Sequence, residues 1–397
     1  MMRNRILRGW MVPALATALN LMVAASTWAG TGGSFTVVHT FAGADGSRPL
    51  GNLLLNKGIL YGTTSGGGAD NAGTVFQIVV GSGTQSVLHS FAGGAGDGAN
   101  PLSGLILDSI GNLYGTTFGG GTNFAGTLFE INFQGGFELL HSFAGAPSEG
   151  ANPAGTLVMD HAGTIYGTTY AGGRMQGWGT VFEWTPSSIY FTGQSFSTSA
   201  GGPRGGLLLT AGHLYGTTCG SGGNPSYGGT VFEVAAKTVL YTFTGGADGA
   251  QPMAGLISDG AGNLYGVTMA GGSASFGNGN GVVFEINSTT GAEKVLHAFR
   301  GPDGSSPTGN LVRDAAGNLY GTTMWGGAFG YGTAFKLDAS GNLTTLHSFT
   351  GGADGANPFA GVILDSSGNL WGVASAGGSA AAPAGNGVVF MIPLGPS

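Results

Sequence analysis

One short signature recurs seven times along this chain: an aliphatic residue, an aromatic residue and a glycine. It stands at Leu60-Tyr61-Gly62, Leu113-Tyr114-Gly115, Ile165-Tyr166-Gly167, Leu214-Tyr215-Gly216, Leu264-Tyr265-Gly266, Leu319-Tyr320-Gly321 and Leu370-Trp371-Gly372. The intervals are 53, 52, 49, 50, 55 and 51 residues. A period near ~50 residues is that of propeller blades, and leucine-rich, ankyrin and tetratricopeptide units are much shorter.

Each period reads as four short strands. In the second period strand a is Gly104 to Asp108, strand b Asn112 to Thr117, strand c Gly126 to Asn132 and strand d Phe137 to Phe143. The a–b turn carries Asp108 and Gly111, and Asp-x-x-Gly turns recur at Asp160, Asp259, Asp314 and Asp365. Aspartate bonds to the turn backbone and glycine supplies positive φ. The strands are apolar without clean alternation, as expected where a sheet is covered on both faces. That is the situation of a blade held between two neighbours.

Counting strands predicts how the ring closes. The strand d markers are His39-Thr40-Phe41, His89-Ser90-Phe91, His141-Ser142-Phe143, Gln194-Ser195-Phe196, Tyr241-Thr242-Phe243, His297-Ala298-Phe299 and His347-Ser348-Phe349. The first stands before any complete a–b–c set, and the last set, Gly361 to Ile392, has no d. The expectation is an all-β, seven-bladed β-propeller with four strands per blade, closed by the N-terminal strand pairing with the last blade. An open β-solenoid is the competing architecture, but it leaves the first strand unexplained.

Glycine is abundant, at 83 of 397 residues, but the chain has no collagen register, and 42% hydrophobic residues exclude a disordered linker. Arg3, Arg5 and Arg8 precede an apolar run from Trp10 to Ala25, and Thr27-Trp28-Ala29 offers a small-residue cleavage point. This order predicts a secretory signal over 1–29 and a single propeller domain over 30–397. An uncleaved anchor is the rival, but the run is shorter than the ~20 residues of a span and contains Pro13 and Asn20. The expected place is secreted or extracytoplasmic, as a monomer with no membrane span in the mature chain. Net charge is −7, or −10 without the three leader arginines, which excludes the basic face of a nucleic-acid binder. Cys219 is the only cysteine, so no internal disulfide forms, and the thiol reads as a small hydrophobe.

Leu-Tyr-Gly-Thr-Thr segments, strands such as Gly73-Thr74-Val75-Phe76 and Gly126-Thr127-Leu128-Phe129, and His-Ser-Phe followed by Asp-Gly-Ala-Asn-Pro resemble the GloVer (choice-of-anchor) tandem-repeat family of bacterial proteins. The resemblance spans the mature chain. It implies an exported envelope or secreted protein and carries no established activity. The C-terminal anchoring signal common in that family has no counterpart after Ile392. The Asp-x-x-Gly-Asn-Leu-Tyr segment also resembles NHL-type and kelch-like blades, which bears on the fold alone.

Repetition separates structural from functional candidates. His39, His89, His141, His297 and His347 share one strand d slot, so they stand a blade apart on the rim and cannot converge on one metal. Asp45-Gly46, Asp97-Gly98, Glu149-Gly150, Asp248-Gly249, Asp303-Gly304 and Asp354-Gly355 each offer one carboxylate, whereas calcium takes about six to eight oxygens. They read as turns, and blade 4 has Gly201-Gly202-Pro203 instead. Strand a, which should line the channel, is apolar except for Asn52, Asn310 and Arg313. No catalytic residues, metal ligands or cofactor are assigned.

The b–c loops share a face with the d–a loops and vary between blades. They carry Phe118 and Phe124, then Tyr170, Arg174, Met175 and Trp178, then Tyr227, Phe276, Trp325, Phe329 and Tyr331. Aromatic and arginine side chains on rigid loops are recognition groups. The alternative is that these rings pack between blades. Tyr170, Arg174, Trp178, Tyr227, Trp325 and Tyr331 are the ligand-binding candidates, for a glycan or an envelope protein. A propeller hydrolase or lyase and a structural surface component are the other functions the sequence leaves open.

Overall fold

The computed structural model describes residues 35–173, 177–196, 201–220, 228–273, 279–379 and 385–395. The predicted leader and the candidates Arg174 and Tyr227 lie outside the described residues, as do Met175 and Phe276. Among the described residues every regular element is a strand.

Seven antiparallel sheets form the blades. In blade 2 strand a is Ile106–Leu107, b is Leu113–Thr117, c is Thr127–Ile131 and d is Phe137–Ser142, each pairing with the next. Blade 7 takes a (Ile363–Leu364), b (Asn369–Ala374) and c (Val388–Pro393) from the C-terminal end and d (Thr36–Thr40) from the N-terminal end. Thr36 pairs with Met391, Val37 with Phe390, His39 with Val389 and Thr40 with Val388. The ring closes as the strand count requires.

Phenylalanine welds the blades together. Strand d ends in Phe41, Phe91, Phe143, Phe196, Phe243, Phe299 or Phe349. Each ring meets a strand c phenylalanine of the next blade at 4.9–5.2 Å: Phe76, Phe129, Phe182, Phe232, Phe284, Phe335 and Phe390 in turn. All fourteen are buried. Burial of one such side chain contributes about 1.5–3 kcal/mol, and the edge-to-face approach a further ~0.5–1.5 kcal/mol. The glycine of the signature makes room for the strand c ring. A Cβ on Gly115 would lie 2.6 Å from Phe129 Cζ and 2.8 Å from Leu105.

A second tie runs nearer the axis. In four blades the threonine after the signature glycine donates across the seam to a main-chain carbonyl of the next blade, whereas Thr116 of blade 2 bonds to the Ser103 hydroxyl of its own blade. Thr63 donates to Ser103, Thr168 to Gly205, Thr217 to Ala254 and Thr322 to Ala360. In blades 5 and 7 that position is Val267 or Val373, and it packs in the core instead.

Candidate functional site

One face of the ring is formed by the d–a and b–c loops, and hydrogen bonding makes it stiff. Gly98–Ala99 pairs with Gly119–Gly120, Gly150–Ala151 with Ala171–Gly172, and Ser305 with Trp325. Across the seams Asn100, Asn152 and Asn357 sit at positive φ and donate from Nδ2 to the carbonyls of Ser65, Phe118 and Met324.

The recurrent histidines and acids are consumed by this framework. His39 Nε2 bonds to Asp45 at 2.8 Å, His89 to Asp97 at 3.1 Å, His141 to Glu149 at 3.2 Å, His297 to Asp303 at 2.8 Å and His347 to Asp354 at 2.9 Å. A β-bulge before each histidine makes the contact. Val75 pairs with His89 and Phe76 with Val87, so Leu88 is the extra residue, and the strand bends toward the loop. The acid also accepts main-chain N–H groups, such as Ala92 and Gly98 at Asp97. Burial works upward on Asp97, but its bonds to His89, Ala92 and Gly98 leave the carboxyl below its ordinary value. Spacing within each pair varies from six to eight residues, which hid the pairing in the sequence.

On the opposite face the Asp-x-x-Gly turns are equally committed. Asp314 accepts from the Asn318 main chain and side chain and from the Tyr320 hydroxyl, and Trp371 Nε1 takes the tyrosine's part at Asp365.

The candidate aromatics of the loop face divide into two groups. Trp178 and Tyr331 occupy one slot, immediately before the glycine that opens strand c, where blades 1 and 2 carry Ala72 and Ala125. Both rings are half-buried against inter-blade clusters, Trp178 beside Phe196 and Phe232, and Tyr331 beside Phe349 and Phe390. Trp325 and Phe329 stand exposed on the blade 6 loop, at 45% and 57% accessibility, and Phe124 on the blade 2 loop at 70%. The bridge between Trp325 and Ser305, with N···O distances of 2.8 and 2.9 Å, fixes the loop beneath the indole.

At the centre of the face lies the mouth of the channel, a recess of about 60 Å³. Each blade contributes the residue after a proline: Leu50, Leu102, Ala154, Met253 and Phe359 are apolar, Thr308 bonds to the Phe359 carbonyl, and Arg204 is charged. Glycines close the throat, for a Cβ on Gly205 would lie 2.4 Å from the Ala254 carbonyl oxygen. Asn52 and Asn310 lie in the recess, and their Oδ1 atoms accept from Gly361 and Gly255 N–H. Arg313, expected with them, lies elsewhere: it lines an outer cleft with Tyr265 and Glu285. It ends strand a, three residues after Asn310, which carries it past the channel.

Arg204 was missed in the sequence, although its slot in the proline-to-glycine register is apolar or hydroxyl in the other six blades. Its guanidinium lies 4.5 Å from the centroid of the ring of Tyr170, one of the candidate residues. Cys219 is next to this pair. Its thiol donates to the Gly202 carbonyl at 3.2 Å, and burial pushes its pKa up against the lowering charge of Arg204.

Seven four-stranded blades in a closed ring define a β-propeller repeat protein. The Gloeobacter/Verrucomicrobia repeat matches residues 26–176, 82–279 and 274–396. The chain belongs to that family. No curated protein matches it significantly. Solved structures share the architecture at low identity. A chain of the mitotic checkpoint complex is 12% identical with a TM-score of 0.55, covering 98% of each chain. A puromycin-hydrolyzing peptidase of Mycobacterium tuberculosis is 12% identical with a TM-score of 0.51, covering 86% of this chain and 52% of that one. A gluconolactonase from Xanthomonas campestris is 12% identical with a TM-score of 0.44, covering 90% and 89%. These likenesses concern the fold alone. Among the described residues no helix is long and apolar enough to cross a membrane.

Proposed function

We propose that this is an exported binding protein, directed outward by the leader at 1–29 and acting as a single propeller over 30–397. Its loop face recognises an extracytoplasmic ligand, and the ligand class that fits best is a glycan. The observation that carries this reading is the blade 6 loop, where Trp325 and Phe329 are exposed on a backbone held by paired hydrogen bonds. Flat apolar rings on a rigid support lose little entropy on binding and suit the apolar face of a sugar. The histidines and acids of the same face serve its framework, and the channel asparagines accept from main-chain N–H groups.

The test is a glycan-array and envelope pull-down screen with protein produced from the full chain. Trp325→Ala and Phe329→Ala together are expected to remove binding while the melting temperature stays within a degree or so of the parent, as for other exposed substitutions. Full binding by the double variant would overturn this placement of the site.

A further inference from the structure

The channel mouth is lined by one cation, two amides and three hydroxyls among apolar side chains and glycines. Four of its main-chain carbonyls are engaged: Ser103, Gly205, Ala254 and Ala360 each accept a threonine hydroxyl from the neighbouring blade. The acceptor oxygens of Asn52 and Asn310 are engaged by Gly361 and Gly255. The side chains that bring donors to the recess are the two asparagines, through Nδ2, and Arg204, through its guanidinium. The ion pairs among the described residues all join a histidine to a carboxylate. Arg204 is thus an uncompensated cation in a chain of net charge −7.

The seam between blades 3 and 4 is altered in a way that serves this arginine. In blades 2, 3 and 7 an asparagine clips the d–a loop to the previous blade, and blades 1, 5 and 6 carry Arg48, Gln251 and Ser306 there, but here the slot is Gly202. A Cβ there would meet the Tyr170 carbonyl oxygen at 2.2 Å and Tyr170 Cδ2 at 2.9 Å. Without a side chain at 202, the Tyr170 ring lies close against the loop and under the guanidinium at 4.5 Å. A guanidinium resting over an aromatic face keeps its N–H groups available, and these can take a carboxylate by two parallel bonds. Met253 and Phe359 supply apolar wall beside it.

The geometry points to a binding site for a short-chain organic carboxylate in the channel mouth, with Arg204 taking the carboxylate, Tyr170 lying under the guanidinium and Asn52 and Asn310 donating to the ligand's oxygens. The site is separate from the aromatic loop of blade 6. A carboxylate suits it better than a dianionic oxyanion, because a single cation is set among apolar walls in a recess of about 60 Å³.

The test is calorimetric titration of protein from the full chain with sodium propionate and sodium pyruvate, against sodium chloride at matched ionic strength. Saturable one-to-one binding of a carboxylate is expected in the wild type and in Trp325→Ala. Arg204→Met should abolish it. Arg204→Lys should weaken it about tenfold or more, since the ammonium cannot make the planar two-point contact. If Arg204→Met lowers the melting temperature, Arg204→Lys is read in its place. No saturable carboxylate binding by the wild type, equal displacement by chloride, or undiminished affinity in the arginine variants would overturn the site. Because Trp325→Ala retains it, failure here is distinguishable from failure of the glycan reading.

Discussion

The Phe137 ring lies flat on the imidazole of His89, with centroids 3.9 Å apart and planes 4° from parallel. The first residue of strand d in one blade thereby covers the histidine clip of the blade before it. Phe35 does the same for His347 at 3.8 Å. His89→Ala removes both the stack and the bond to Asp97, and it is expected to lower stability by about 1–3 kcal/mol in urea unfolding. An unchanged midpoint would mean that the clip is not part of the ring's stability.

In blade 5 that covering position is Glu293, which faces Tyr241 and Asp248, the pair that replaces histidine and acid in blade 4. Burial, followed by the Asp248 charge, pushes Glu293 up to about 7, and its Oε1 has no hydrogen-bond partner. A carboxyl whose pKa is raised on folding contributes stability that is fully present below its unfolded value and lost as pH rises through the folded value. The window therefore runs from about 4.5 to about 7. Glu293→Gln should melt higher than the parent at about pH 8 and equally at about pH 4. A pH-independent difference would contradict the assignment.

Gly115→Ala tests the close packing within a blade. The added methyl must displace Phe129 or Leu105 in a core that has no room for it. A loss of about 1–3 kcal/mol is expected, of the size seen for overpacking. Tolerance of alanine would show that the strand c ring can shift.

Removal of residues 35–41 takes strand d from blade 7 and uncovers Phe76 and Phe390. The buried Phe41 ring alone accounts for roughly 2 kcal/mol, and the half-buried Phe35 adds to it. Thermal unfolding should show loss of cooperative melting across the ring, and a parental transition would exclude the closure.

Blade number and closure were legible because they depend on periodic residues: the signature glycine must lie on the strand c phenylalanine, and the solitary His39-Thr40-Phe41 needed a partner. The role of the histidines as framework residues was legible from their shared slot. Their acid partners were not, because the connecting turns differ in length and the bulge that joins them leaves no mark in composition. Trp178 and Tyr331 drew attention as aromatics, although alignment on the following glycine puts them where Ala72 and Ala125 fill the seam. Arg204 escaped notice because it lies outside the aromatic loops, and its meaning depends on which carbonyls around it are already bonded.

Strand d of blade 7 precedes its partner, Val388–Pro393, in the chain by all of blades 1 to 6. A nascent chain can assemble interior blades as they emerge, but that first strand meets its partner only after all the intervening blades have been synthesised. Premature termination anywhere upstream of Val388 therefore leaves two unpaired β-edges and exposed phenylalanine on the same molecule, a species marked for aggregation or proteolysis.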